Sequence, residues 1–346
     1  MSAAQDHPPA WSPLPPPPPT TRRSAGLVAG LIALLLVFGS IGLVAARQSG
    51  QSRNGASSPE SAVTGLLAAL DHDPIDAATL KRASRFLTGE ERLLVQTDAD
   101  RFVQLANGEH GIPGGGLGQF AIGADNLGFR RAAGTGDVAV LEAVSGDVTV
   151  RASGTGRLRL SLDEARKRLA QQTHGAVSSI RAVTIRSGGR WYVSLLATLL
   201  EYSRLPQVSG PPDYSQLSQP AIPGTASPVE GVQRLVAAMS DQTGEPADAL
   251  VPEERNALRA YVLRRGLSST AEIARLLNPD GVMLRSDKLK VRGSAETIAP
   301  GVAAVPFTNF GQDSTMVAIE RDGTWYASMV FTGVDLLLTS AEREHS

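Results

Sequence analysis

Apolar positions recur along the chain with two periods, and each pattern occurs twice. Val63, Leu66, Leu67 and Leu70 fall at i, i+3, i+4 and i+7, and Val232, Leu235, Val236 and Met239 repeat that spacing 169 residues later. This is the stripe of a helix with one buried face. Ser58-Pro59 and Ser227-Pro228 stand just before the stripes, as an N-cap followed by proline in the first helical turn. Glu230 completes a capping box with Ser227, and Ser61 takes its place in the first copy. Alternation replaces the helical period near the end of each copy. Val183 and Ile185 share a face of one strand, and Trp191 and Val193 share a face of the next; Val317 with Ile319 and Trp325 with Ala327 repeat this. Gly188-Gly189 and Asp322-Gly323 interrupt these runs as hairpin turns.

Between the opening helix and the closing hairpin lies a third match. Leu87-Thr88-Gly89-Glu90-Glu91-Arg92 parallels Leu250-Val251-Pro252-Glu253-Glu254-Arg255, and each starts a further helix. Paired acids in a first turn suit the positive end of the helix dipole. A catalytic carboxylate pair is the alternative, but neighbours i and i+1 diverge on a helix, so capping is the reading taken. The pattern predicts an α+β fold built twice, helices first and antiparallel sheet last. From Ser to Trp the copies measure 133 and 98 residues. The surplus of 35 is assigned to an insertion, either Gly108–Gly128 or the helical piece opened by the capping box Ser161-Leu162-Asp163-Glu164. Trp191 is expected to pack on its copy's stripe or on the neighbouring helix of that copy, and Trp325 to do the same in the other.

A different pattern precedes the copies. Residues 25–46 are apolar on every face for 22 residues, long enough to span about 30 Å of hydrocarbon. This predicts a single transmembrane helix. Arg22 and Arg23 before it balance Arg47 and Arg53 after it, so charge leaves the orientation open. The short N-terminal tail and large C-terminal portion favour a signal anchor with a cytoplasmic N-terminus. A cleaved signal peptide has a shorter apolar core, although Val44-Ala45-Ala46 resembles a cleavage site. The resulting organisation is a Pro-rich cytoplasmic tail (1–24), the membrane helix (25–46), a tether (47–57), domain one with its insertion (58–205), a Pro/Ser-rich linker (206–226), domain two (227–340) and a short tail (341–346). The prolines at 15–19 predict an extended solvated strip, with docking to an aromatic groove as the alternative.

Composition narrows the chemistry. The net charge of −1 argues against nucleic-acid binding, and the lack of cysteine removes disulfides, thiolate metal sites and thiol catalysis. Of 33 basic residues only Lys81, Lys167, Lys288 and Lys290 are lysine, a bias that points to a GC-rich bacterial genome of actinobacterial type. Gly114–Gly118 lacks the lysine of a phosphate loop and is read as an ordinary loop. Asp71-His72-Asp73 is read as a helix-terminal turn rather than a metal site. Tyr192 and Tyr326 are matched aromatic candidates for a cavity, with packing as the expected role. No catalytic, cofactor-binding or metal-binding residue is assigned, and no cofactor is expected.

The Ser-Pro-x-x-x-Val helix, the acidic second helix and the closing Gly-x-Trp-Tyr-x-Ser strand resemble NTF2-like (cystatin-like cone) domains outside bacterial membranes. The resemblance spans residues 58–204 and 227–340. It implies, in each copy, a curved sheet wrapped on helices with a cavity between them. It contains both enzymes and binding modules, so fold does not decide function. The expected function is a non-enzymatic, membrane-anchored envelope protein whose paired exodomains bind a protein partner or a small apolar ligand. A structural subunit of a membrane assembly and an anchored enzyme are the alternatives.

Overall fold

The computed structural model describes residues 54–71, 76–106, 120–152, 156–172, 179–202, 211–241, 245–261, 290–309 and 312–343. The predicted span 25–46, the glycine run 114–118 and His72-Asp73 lie outside them. No helix among the described residues is long and apolar enough to cross a membrane.

Both opening helices start as their sequences dictate. Ser58 Oγ accepts the Ser61 N–H at 3.1 Å and begins α1 (Pro59–Leu70). Ser227 Oγ accepts the Glu230 N–H at 3.3 Å, while Glu230 reaches back to the Ala226 N–H at 3.2 Å. The two striped faces are buried as expected. A short helix, α2 (Ala77–Ala83), is capped by Asp76, which accepts the Thr79 N–H at 2.7 Å. It leads to the acidic helix α3 (Gly89–Ala106).

The first sheet holds β1 (Phe120–Thr135), β2 (Val138–Ala152), β3 (Gly156–Ser161), β4 (Arg181–Ser187) and β5 (Arg190–Ser194). All pairs are antiparallel in the order β1-β2-β4-β5, with β3 also on β2. The helix α4 (Leu162–Gln172) follows β3, and α5 (Leu195–Tyr202) closes the first copy. The second copy contains α6 (Pro228–Asp241), α7 (Pro252–Tyr261), strands β6 (Lys290–Val291), β7 (Glu296–Ala299), β8 (Val302–Asn309), β9 (Gln312–Arg321) and β10 (Thr324–Ser328), and α8 (Met329–Arg343). Its sheet runs β10-β9-β8-β6, with β7 also on β8.

The two sheets agree to the residue. Val138 pairs with Ile185 and Ile185 with Tyr192, while Val302 pairs with Ile319 and Ile319 with Tyr326. Each closing hairpin turns through two left-handed residues, Gly188 and Gly189 in one and Asp322 and Gly323 in the other. That geometry matches strand twist and explains why Gly and Asp occupy these positions. The surplus of the first copy is located by this register. Asn309 pairs with Gln312 across a tight hairpin, whereas the same step in the first copy passes through the outer part of β2, β3 and α4. The capping box there is complete: Glu164 Oε2 accepts the Ser161 N–H at 2.8 Å, and Ser161 Oγ accepts the Glu164 N–H at 3.3 Å. Replacing Ser161 by Ala should cost about 1 kcal/mol, read as a small fall in the denaturant midpoint with an unchanged slope.

Each sheet buries both faces in its central part. Ala139, Leu141, Ala182 and Val193 pack with the α1 stripe and Trp191. On the opposite face Val138, Val140 and Val183 have no exposed surface and join a core with Ala257, Leu258 and Tyr261 of α7. The second sheet mirrors this. Met316 and Ala318 lie in the core of α6, and Val317 and Ile319 lie with Leu94 of α3 and Phe331 of α8. The second helix of each copy therefore enters the core of the other. Among the described residues, these side chains pack on the sheet faces where the resemblance implies a cavity.

The stretch read as a spacer also joins this core. Tyr214 and Leu217 of the 3-10 turn Tyr214–Ser218 are buried on the first sheet. The Asp213 N–H donates to Ala260 O at 3.1 Å, and Asn256 Nδ2 donates to Gln219 O at 2.8 Å. Proline and serine content suggested an open strip, but the two apolar side chains between them give it something to bury.

Candidate functional site

Among the described residues, a dense set of buried polar groups lies where the acidic helices meet the closing helices. Backbone pairing sets it up. The Thr88 N–H donates to Val193 O at 3.0 Å, and the Val251 N–H donates to Ala327 O at 3.0 Å. Leu87 thus runs parallel to Val193 and Leu250 to Ala327, so each acidic helix starts beside a closing helix. The second acid of each pair reaches that neighbour.

In the first copy Glu91 Oε1 accepts the Ser194 hydroxyl at 3.1 Å and the Leu196 N–H at 2.7 Å. In the second, Glu254 Oε1 accepts Ser328 Oγ–H at 2.6 Å and the Val330 N–H at 2.8 Å, while Oε2 accepts the Met329 N–H at 2.8 Å. A carboxylate over free helix N–H groups satisfies donors that have no partner within the helix and opposes the positive end of its dipole. Ser194 and Ser328 also accept from the Ala197 and Phe331 N–H groups, at 3.2 and 3.1 Å. Thr198 and Thr332 complete the unit, bonding Ser194 O and Ser328 O and accepting from the strand N–H groups of Val183 and Val317 at 2.9 Å each.

The sequence reading placed the paired acids as dipole partners of their own helices. They do lie in those first turns, but Glu91 and Glu254 hold the ends of α5 and α8 instead. The parallel bridges of Leu87 to Val193 and Leu250 to Ala327 start each acidic helix beside a closing helix, within reach of its free N–H groups. The serines and threonines that complete the clamps were missed. The signal was present, since Ser-x-x-x-Thr follows Trp-Tyr-x in both copies.

The first acid of each pair breaks the symmetry. Glu90, 2% exposed, places Oε1 2.9 Å from Ser328 Oγ in the other copy. Glu253 turns to Arg321 at 2.7 Å. Burial, and then the adjacent Glu254 carboxylate, hold the Glu90 carboxyl well above its usual range; Glu253 adds to the effect. Burial also raises the Glu91 carboxyl, against the N–H donors that lower it. Further along the contact, Arg101 pairs with Asp335 at 3.0 Å.

A second network lies on the first copy. Glu201 accepts from Arg181 at 3.0 Å and from Tyr214 Oη at 3.0 Å. Tyr202 donates to Arg181 O at 3.0 Å, and burial pushes its phenol upward. The matched tyrosines differ in environment. Tyr192 is half-buried with Arg92 6.0 Å from its ring centre, and Tyr326 is buried with Oη donating to Ile222 O at 2.7 Å. Among the described residues no group of His, Cys, Asp and Glu has the arrangement of a metal site.

No family model matches the chain, and no curated protein is detectably similar to it. Among solved structures, a cystatin-like protein from Ruminococcus gnavus aligns over 88% of this chain and 87% of its own, at 10% identity and a TM-score of 0.18. A score that low carries no argument about fold or function.

Proposed function

We propose that the chain is a non-enzymatic protein of the bacterial cell envelope, anchored by residues 25–46 with its N-terminus cytoplasmic and carrying two NTF2-like repeats that dock a protein partner. The observation that carries this reading is the packing on both faces of each sheet among the described residues. Among these residues both faces of each sheet's centre are covered, one by its own opening helix and the other by elements that include the acidic helix of the other copy. That favours recognition over the outer surface, and a protein over a small apolar ligand. The buried acids Glu91 and Glu254 are engaged in holding helix ends, which leaves them unsuited to proton transfer with a substrate.

The anchor is proposed from the uncharged run in the sequence, which only lipid or other membrane segments can cover on all sides. Fractionation of cells expressing the full chain tests both parts. The expected result is a membrane fraction released by detergent and not by high salt, with loss of membrane association when residues 1–46 are deleted. Cross-linking in membranes followed by partner identification should recover an envelope protein with the full chain. Full-length chain in the soluble fraction would overturn the anchor.

A further inference from the structure

We propose that one proton, held between Glu90 and Glu254 at Ser328, latches the two copies together, and that its loss as the medium turns alkaline loosens the seam. Ser328 Oγ has three neighbours within hydrogen-bond distance: Glu254 Oε1 at 2.6 Å, Glu90 Oε1 at 2.9 Å and the Phe331 N–H at 3.1 Å. A hydroxyl has one hydrogen to donate and two lone pairs. Phe331 takes one lone pair, and the hydrogen serves one carboxyl. The other carboxyl must therefore bring a hydrogen of its own.

Glu254 already accepts the Met329 and Val330 N–H groups, so it is the acceptor of the Ser328 hydrogen. The extra proton belongs on Glu90, whose O–H lies within reach of Ser328 Oγ and of the Glu254 carboxylate, to which Glu90 is also hydrogen-bonded. The first copy serves as an internal comparison. Ser194 has the same N–H neighbour and a single acid, and needs no added proton.

The charged groups facing Glu90 favour this state. Glu253 and Glu254 approach from α7, and both are acidic. Arg321 of β9 packs against Gly89, but its guanidinium pairs with Glu253. Glu91, on Glu90's own helix, is turned to α5. Ionised Glu90 would lie buried beside the Glu254 carboxylate without a donor, a state relieved by parting α3 from α8.

In the open state, returned to water, Glu90 titrates as an ordinary carboxyl; in the closed seam burial and the Glu254 carboxylate hold it well above that range. The closed state therefore binds the proton more strongly, and its advantage is complete below the ordinary value. The advantage is lost as pH rises toward the closed-state value, with the opening constant growing up to about tenfold per pH unit.

Hydrogen exchange of the full chain in mild detergent, corrected for intrinsic rates, reads this directly. The first turn of α8 should lose protection as pH rises, and Glu90→Gln, which keeps a donor for Ser328 without the charge, should abolish that slope. An infrared band of a protonated carboxylic acid should be present at neutral pH, persist in Glu91→Gln and weaken in Glu90→Gln. The idea fails if the native chain shows no such band, or if Glu90→Gln keeps the native slope. Should Glu90→Gln not fold, the band in Glu91→Gln decides: its persistence supports the latch and its loss overturns it.

Discussion

Replacing Trp191 by Ala should cost about 3–5 kcal/mol and unfold both copies in one transition. Trp191 is 8% exposed and lies in the core of Val63, Leu66, Leu67 and Leu70. Its backbone also bonds Ala56 in both directions at 2.9 Å, fastening the segment that leads into α1. From sequence, two separate copies predict that one would melt and leave the other folded. The shared cores predict otherwise. Leu94 of α3 lies in the core of Val302, Val317 and Ile319, so loss of the first copy strips the second sheet of one covering. Far-UV and near-UV circular dichroism should give coincident midpoints in the variant. Two resolved transitions would show that the copies are energetically independent. Trp325→Ala should cost less than Trp191→Ala, because Trp325 is only half-buried at the edge of its core.

Glu254→Ala should be comparably damaging, at about 3–5 kcal/mol. The variant leaves the Met329 and Val330 N–H groups and the Ser328 hydroxyl without their acceptor in a site that is 0% exposed at Glu254. Glu91→Ala removes the matched clamp, in which Ser194 and Leu196 donate to a single carboxylate oxygen where Glu254 uses both, and should cost somewhat less. Chemical denaturation of both variants checks the order. Equal stability to the native chain in Glu254→Ala would mean that water replaces the carboxylate, and that the clamp holds nothing.

The striped helices, the capping serines, the closing hairpins and the match between the copies were all legible in the residues. They rest on local physics: helical and strand periodicity, cap chemistry, and turns through left-handed positions. The insertion was legible as a length, and one of the two places suggested for it, the piece opened by Ser161, proved to lie within it. The roles of Tyr192 and Tyr326 were not, because the same aromatic in the same register meets Arg92 in one copy and the Ile222 carbonyl in the other.

The sequence by itself determined the elements of this protein, their order and their internal repetition, since these depend on contacts within a few residues or across one hairpin. Only the tertiary structure decided that Glu91 and Glu254 hold the ends of neighbouring helices, that Glu90 crosses to Ser328, and that Tyr214 and Leu217 fill the first sheet. The reason is distance along the chain. Glu90 and Ser328 are 238 residues apart, and no periodicity in the residues between them records which buried surface a second helix will cover.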